Sequence, residues 1–209
     1  MDLSSLQDNA LTTVLLCLAA YFGGSISSAI LVCRVFGLPD PRTEGSHNPG
    51  ATNVMRLGGK PAAALTLAGD VLKGVIPVLV AIQFDLGPLI AALAGFAAFL
   101  GHLMPIFFQF RGGKGVATAF GVLFALHWPT GLATGALWLG CFAITRISSL
   151  ASMIAFVAMP VIIWFWLPAA LAPMLLLSFT LLARHHSNIR KLLSGQELGF
   201  KKKETKEQQ

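Results

Sequence analysis

The 209 residues include 15 Lys and Arg against 9 Asp and Glu, a formal net charge of +6, yet only 11% of the chain is charged and 55% is apolar. A soluble domain carries about a quarter charged residues, so too few polar side chains remain here to coat a water-soluble globule, and a mean hydropathy of +0.72 makes lipid the solvent for most of the chain. Three cysteines, Cys17, Cys33 and Cys141, lie in or beside apolar runs without CxxC or Cys/His spacing, which argues against a disulfide framework or structural zinc and leaves free thiols.

Asp2 and Asp8, and no Lys or Arg, precede the first apolar run; a cleaved signal has a basic lead instead. That run, about 11–33, is long enough to be a first membrane helix at about 20 residues per crossing. A polar loop follows from Arg42 to Arg56, reading RTEGSHNPGATNVMR. Its Gly and Asn residues permit backbone that folds back and aims N–H groups at an anion; the alternative is a turn-rich connector. Asn53 and Arg56 stand at its end, where a helix N-terminus would add partial positive charge.

A second span is expected over about 61–83. It holds Asp70 and Lys73 at i, i+3, a spacing at which they neutralise each other or line a polar pocket. A third span, about 87–109, carries His102 near its end, as a packing histidine or as a prop for the loop that follows. That loop, from Phe110 to Thr118, reads FRGGKGVAT. Gly112, Gly113 and Gly115 around Lys114 place bare amides and one mobile ammonium at the start of a helix, as phosphate sites do. The Walker A spacing GxxxxGK[ST] is absent, so nucleotide hydrolysis is not indicated.

The run from Val116 to Thr145 has 30 residues, about 45 Å as one helix against a hydrocarbon core of about 30 Å. His127-Trp128-Pro129 splits it, because proline removes a backbone donor and clashes with the preceding turn. The two helices should have roughly 14–16 residues each. A turn from Arg146 to Ser152 offers Ser149 as a helix cap or as a hydroxyl for a phosphate. The run from Ile147 to Ala183 has 37 residues and is split at Trp164, Trp166 and Pro168, with the tryptophans as interface anchors. The last polar segment, HHSNIRKLLSGQE from His185 to Glu197, puts His185 and Asn188 on one helix face. No matching carboxylate or cysteine cluster accompanies the paired histidines, so no metal is expected. The tail over 201–209, rich in lysine, is read as a solvated end or as a lipid-attracted one.

Both splits give seven spans, and charge favours them over five. With the N-terminus outside, Arg34, Arg42, Arg56, Lys60, Arg111, Lys114, Arg146, Arg184, Arg190 and Lys191 all fall inside, and Asp2, Asp8 and Asp85 fall outside, as the positive-inside rule requires. The expectation is therefore an all-α polytopic membrane protein, N-terminus periplasmic and C-terminus cytoplasmic, with one membrane domain over 1–200. The polar motifs gather on the inner side and are rich in anion-binding groups. A GxSxG serine elbow and a carboxylate pair are both absent from the motifs, which argues against esterase and glycosidase chemistry.

The motifs GSHNPGATNVMR, GHLMPIFFQFRGGKGVAT and HHSNIRKLLSGQE, in this order, resemble the bacterial acyl-phosphate:glycerol-3-phosphate acyltransferases, the PlsY family, over nearly the whole chain. The resemblance implies a seven-helix fold in the bacterial inner membrane with its active site at the cytoplasmic face. It implies acyl transfer from acyl phosphate to the 1-hydroxyl of sn-glycerol 3-phosphate, giving lysophosphatidic acid and phosphate, the first acylation in phospholipid biosynthesis. No metal, CoA or other cofactor is implied, and no nucleic acid; the partners are membrane lipid, the two substrates and a functional link to the enzyme that makes acyl phosphate. Carried over by motif, Ser46, Arg56, Lys114, Ser149, His185 and Asn188 are the catalytic candidates. Gly112, Gly113, Lys114, Gly115, Arg56 and Asn53 are the phosphate-binding ones. The chain departs from the family at His47, where glycine is frequent, and at Lys191, where arginine is common. The HxxxxD signature of the other bacterial acyltransferase family is absent, since Thr52, Phe107, Leu132, Arg190 and Lys191 follow the five histidines at that spacing. His185 and the donor's own phosphate are the two candidates for the base, and the resemblance favours the phosphate. The rival reading, a small transporter for a phosphorylated solute, would use Asp70 and Lys73 but lacks an internal repeat.

Overall fold

Long apolar runs fold as helices in lipid because every backbone N–H and C=O must be paired within the segment. The computed structural model describes residues 3–197 and 199, and these are helical throughout their apolar parts. The helices are α1 (Leu3–Gly24), α2 (Ser28–Val35), α3 (Ala51–Gln83), α4 (Gly87–Leu103), α5 (Val116–Leu126), α6 (Trp128–Thr145), α7 (Ser148–Trp166), α8 (Leu171–Arg184) and α9 (His186–Leu193). Short 3-10 turns follow α4 and α7 at Ile106–Phe108 and Pro168–Ala170. The expected tail over 201–209 lies outside the described residues.

The interruptions follow backbone chemistry. The break between α5 and α6 falls at His127, extended at φ −159°, with Pro129 in the first turn of α6. The resulting helices have 11 and 18 residues rather than two near-equal halves, because the proline lies closer to the start of the run. Leu167 and Pro168 separate α7 from α8, next to the exposed Trp164 and Trp166. The Trp166 ring meets His127 edge-on at 5.9 Å, so the two breaks share one end of the bundle.

Two interruptions differ from expectation. The first span is broken after Gly24, where α1 gives way to α2. The break leaves the Ile26 carbonyl outside any helix, and the Lys73 ammonium donates to it at 3.1 Å. The second span begins ten residues early, at Ala51, and is kinked at Gly59 (φ +74°) just before Pro61. Proline cannot continue the hydrogen-bond ladder, and the glycine takes up the bend. Asn53 and Arg56 therefore sit on the first turns of α3, not in a loop.

Helices α3 and α5 cross closely. A Cβ on Gly74 would lie 2.3 Å from the Thr118 carbonyl oxygen, and one on Gly121 would lie 2.2 Å from that of Val71; small residues let the backbones touch where no hydrophobic force between helices is available. Phe99, Leu103, Leu123, Phe156, Met159, Met174 and Leu177 fill the centre between α4, α5, α7 and α8. Leu11, Leu15, Leu65, Leu72, Ile76 and Phe179 point outward, as a lipid-facing surface does. Among the described residues, four stretches are long and apolar enough to cross a membrane, Ala10–Val35, Ala51–Gln83, Gly87–Phe108 and Ser148–Trp166, and a fifth is the pair Pro168–Arg184 and His186–Leu193, bent by 50°.

Candidate functional site

The polar connections before α3, before α5, between α6 and α7, and at the α8–α9 bend meet around one cavity of about 990 Å³. Ser46, Arg56, Gly112, Lys114, Gly115, Ser149, His185 and Asn188 all line it. The geometry thus brings together residues from every polar motif of the sequence. Arg56, Lys60, Lys114, Arg184 and Lys191 face it against two carboxylates, Asp70 and Glu197, so the cavity attracts anions.

The glycine loop is clamped from both sides. Beneath it, the Gly113 N–H donates to the His102 carbonyl at 3.2 Å, and a Cβ on Gly113 would lie 2.3 Å from His102 Nε2. From α8, Arg184 Nη2 donates to the Gly112 and Gly113 carbonyls at 3.0 and 3.2 Å. Gly115 caps α5 at φ +82°, with Phe99 2.3 Å from the place a Cβ would take. The amides of Gly112, Lys114 and Gly115 make no hydrogen bond among the described residues and stand at the N-terminus of α5, where the dipole favours an anion.

Lys114 Nζ donates to Asn188 Oδ1 at 2.5 Å. Asn188 Nδ2 donates in turn to Glu197 Oε1 at 2.6 Å, and the Ser149 hydroxyl donates to the same oxygen at 2.5 Å. Burial pushes the Lys114 pKa down to about 8; the nearby Glu197 pulls it up, and Lys191, Arg184 and Arg56 push it further down. His185 is buried, with Nδ1 2.8 Å from the Leu181 carbonyl. A carbonyl only accepts, so Nδ1 carries the proton and Nε2 keeps its lone pair. His186 is exposed and bonds the Ala183 carbonyl instead, so the adjacent histidines diverge.

Two expected phosphate ligands are placed differently. Asn53 is fully buried and absent from the cavity wall. Its Oδ1 accepts from the Ser46 N–H at 2.9 Å, and its Nδ2 donates to the Pro41 and Glu44 carbonyls at 2.9 and 3.0 Å. It folds the 41–46 loop and so sets the position of Ser46. Gly113 spends its amide on His102 and is likewise not on the wall. His47 adopts φ +57°, the left-handed region that glycine enters at no cost.

Sequence reasoning did not single out Glu197, Arg184, Trp138 or Phe142 as site residues. Trp138 and Phe142 stack at 5.0 Å on α6 and, with Leu67 and Phe120, form the apolar side of the cavity; Trp138 Nε1 donates to Ser152 Oγ at 2.9 Å, fixing the wall to α7. Their i, i+4 spacing was the available signal. Asp70 and His102 also reach the cavity. Asp70 Oδ1 lies 2.9 Å from Lys73 Nζ and 3.5 Å from His102 Nδ1.

Residues 14–195 match the family model described as glycerol-3-phosphate acyltransferase. A glycerol-3-phosphate acyltransferase of Methylococcus capsulatus is 54% identical over 187 residues, covering 88% of this chain and 94% of that protein. One of Haemophilus ducreyi is also 54% identical, covering 90% and 94%. The crystal structure of PlsY, an integral membrane glycerol 3-phosphate acyltransferase, in its glycerol 3-phosphate form is similar with a TM-score of 0.86 at 37% identity, covering 91% of this chain and 96% of that one. Its lysophosphatidic acid form gives 0.84 at 36%.

Proposed function

Because the chain belongs to the glycerol-3-phosphate acyltransferase family of integral membrane proteins, we propose that it transfers a fatty acyl group from acyl phosphate to the 1-hydroxyl of sn-glycerol 3-phosphate. The observation that carries the reading is one cavity with a cationic, amide-rich end and an apolar wall. Lys114, Arg56 and the amides of Gly112 and Gly115 hold phosphate charge, Ser46 and Asn188 donate hydrogen bonds, and Ser149 joins them when its hydroxyl turns from Glu197 to the substrate. The acyl chain lies along Leu67, Phe120, Trp138 and Phe142. The names of the structural relatives, bound to glycerol 3-phosphate and to lysophosphatidic acid, support acceptor and product.

Acyl phosphate is a mixed anhydride and already activated, so the enzyme mainly holds two anions together and stabilises developing charge. The acceptor's C1 oxygen bonds the acyl carbonyl carbon, the bond from that carbon to the phosphate oxygen breaks, and the hydroxyl proton leaves with the phosphate. Lysophosphatidic acid and inorganic phosphate result. The released phosphate is the base in this route. His185, which lines the cavity, is the alternative, since its Nδ1 is engaged by the Leu181 carbonyl and its Nε2 is left without the proton. Turnover of His185→Gln should keep the wild-type pH profile if the phosphate takes the proton; loss of one ionisation from the profile makes His185 the base.

The proposed topology is seven crossings, N-terminus outside and cytoplasmic site. The helix breaks at His127 and Leu167 and the inward collection of basic residues support it. The test of the reaction is phosphate release from acyl phosphate by detergent-purified protein, with and without glycerol 3-phosphate. Acceptor-dependent release is expected, and acyl-CoA should not replace the donor. Release without acceptor dependence would remove the assignment.

A further inference from the structure

A second cavity of about 270 Å³ shares His47, Gly112 and Arg184 with the first. Three arginines, Arg42, Arg111 and Arg184, line it, and no carboxylate residue does. Their commitments differ. Arg42 is held rigid by Asp40, at 2.7 Å, and by the Phe108 carbonyl at 3.3 Å. Arg184 gives one nitrogen to the glycine loop, while its Nε is buried without a hydrogen-bond partner. Arg111 makes no ion pair among the described residues. A buried donor left unpaired is costly, and three arginines lining one cavity without a carboxylate on its wall make it positive, so the arrangement favours an anion there. Three left-handed non-glycine residues, His47, Gln109 and Phe110, at φ +57°, +60° and +57°, lie on or next to this cavity. Backbone strain of that kind collects at ligand sites. The volume suits one tetrahedral anion with a few waters, each about 30 Å³, and is too small for an acyl chain.

We propose that this second cavity binds a phosphate-class dianion separately from the cradle at Lys114, and that in turnover it takes the inorganic phosphate released by the transfer. The second half rests on the acyl-phosphate reading above; the first does not. His47, Gly112 and Arg184 border both cavities, which sets the second cavity beside the first.

Equilibrium dialysis of radiolabelled orthophosphate against full-length protein in detergent tests the site without any turnover. Lys114→Ala, which disables the cradle, should still bind orthophosphate. Adding Arg111→Gln should weaken that binding about tenfold or more, the loss expected for one charge-assisted hydrogen bond, whereas adding Arg111→Lys should retain most of it. An unchanged thermal midpoint in the Arg111 variants confirms that they are folded. No binding by Lys114→Ala, or equal binding with Arg111→Gln, overturns the site. Phosphatidic acid added to the micelles separates the sources of phosphate. Displacement of orthophosphate assigns the cavity to a lipid headgroup and overturns the product role; no displacement supports free phosphate. In the transfer assay, orthophosphate inhibition should persist at saturating glycerol 3-phosphate and weaken in Arg111→Gln; complete relief by glycerol 3-phosphate overturns the product role. If the chain does not use acyl phosphate, the transfer assay is silent while the dialysis result stands.

Discussion

Lys114 owes its chemistry to crowding. With its pKa at about 8, set first by burial and then by neighbouring cations, the ammonium is charged below that pH and neutral above it. The phosphate binding proposed for this group should therefore be nearly full at pH 7 and fall as pH rises through about 8. In kcat/KM for glycerol 3-phosphate we expect an alkaline limb near that value, moved out of range in Lys114→Arg. Lys114→Ala should lower kcat/KM by roughly 10²–10³-fold, the loss typical of one preorganised donor at developing charge, in steady-state kinetics. Gly112, Lys114 and Gly115 of this loop were legible as wall residues in the sequence because amides plus a cation at a helix start form a local pattern, whereas Gly113 gives its amide to the His102 carbonyl. Glu197 and Asn53 were not legible as they stand. A single carboxylate in a polar segment near the end of the sequence reads as solvated until Ser149 and Asn188 are seen to converge on it. An asparagine among loop glycines reads as a ligand until its amide is found fully used within its own loop.

At the scale of helices, two features carry testable energetics. Lys73 holds both Asp70 and the open Ile26 carbonyl. Lys73→Met should destabilise by about 3–5 kcal/mol, because it leaves a buried charge uncompensated. Asp70→Asn in the same chain should restore much of that loss, read as the thermal midpoint in detergent. The α3–α5 crossing rests on Gly74 and Gly121, and Gly121→Val should cost about 1–3 kcal/mol by overpacking on the same measurement. The helix breaks at Pro129 and Pro168 could be read from the sequence because proline cannot continue a hydrogen-bond ladder. The break after Gly24 could not, since its apolar run is continuous and the group that makes the break tolerable, Lys73, lies 47 residues away. The start of α3 was misplaced for a related reason. The pair Gly58-Gly59 before Lys60-Pro61 has the composition of a boundary, while the structure uses it as a bend within one helix.

For the whole molecule, the proposed seven-crossing orientation makes a sharp prediction about access. In a background with Cys17, Cys33 and Cys141 replaced, a cysteine at His186 should react with a membrane-impermeant reagent only from the cytoplasmic side, and one at Asp85 only from the other. Labelling of both from one side would remove the topology. The short α5 has a consequence in this orientation. Its 11 residues measure about 16 Å against a hydrocarbon thickness of about 30 Å, and its far end is marked by the exposed Trp128. With Trp128 at the far interface, the proposed orientation would set the glycine loop at the near end of α5 below the headgroup plane. The proposed transfer would then take place at the depth where the hydrocarbon tail already resides, sparing the tail a passage through water and leaving the journey to the small polar acceptor, drawn down by fixed positive charge.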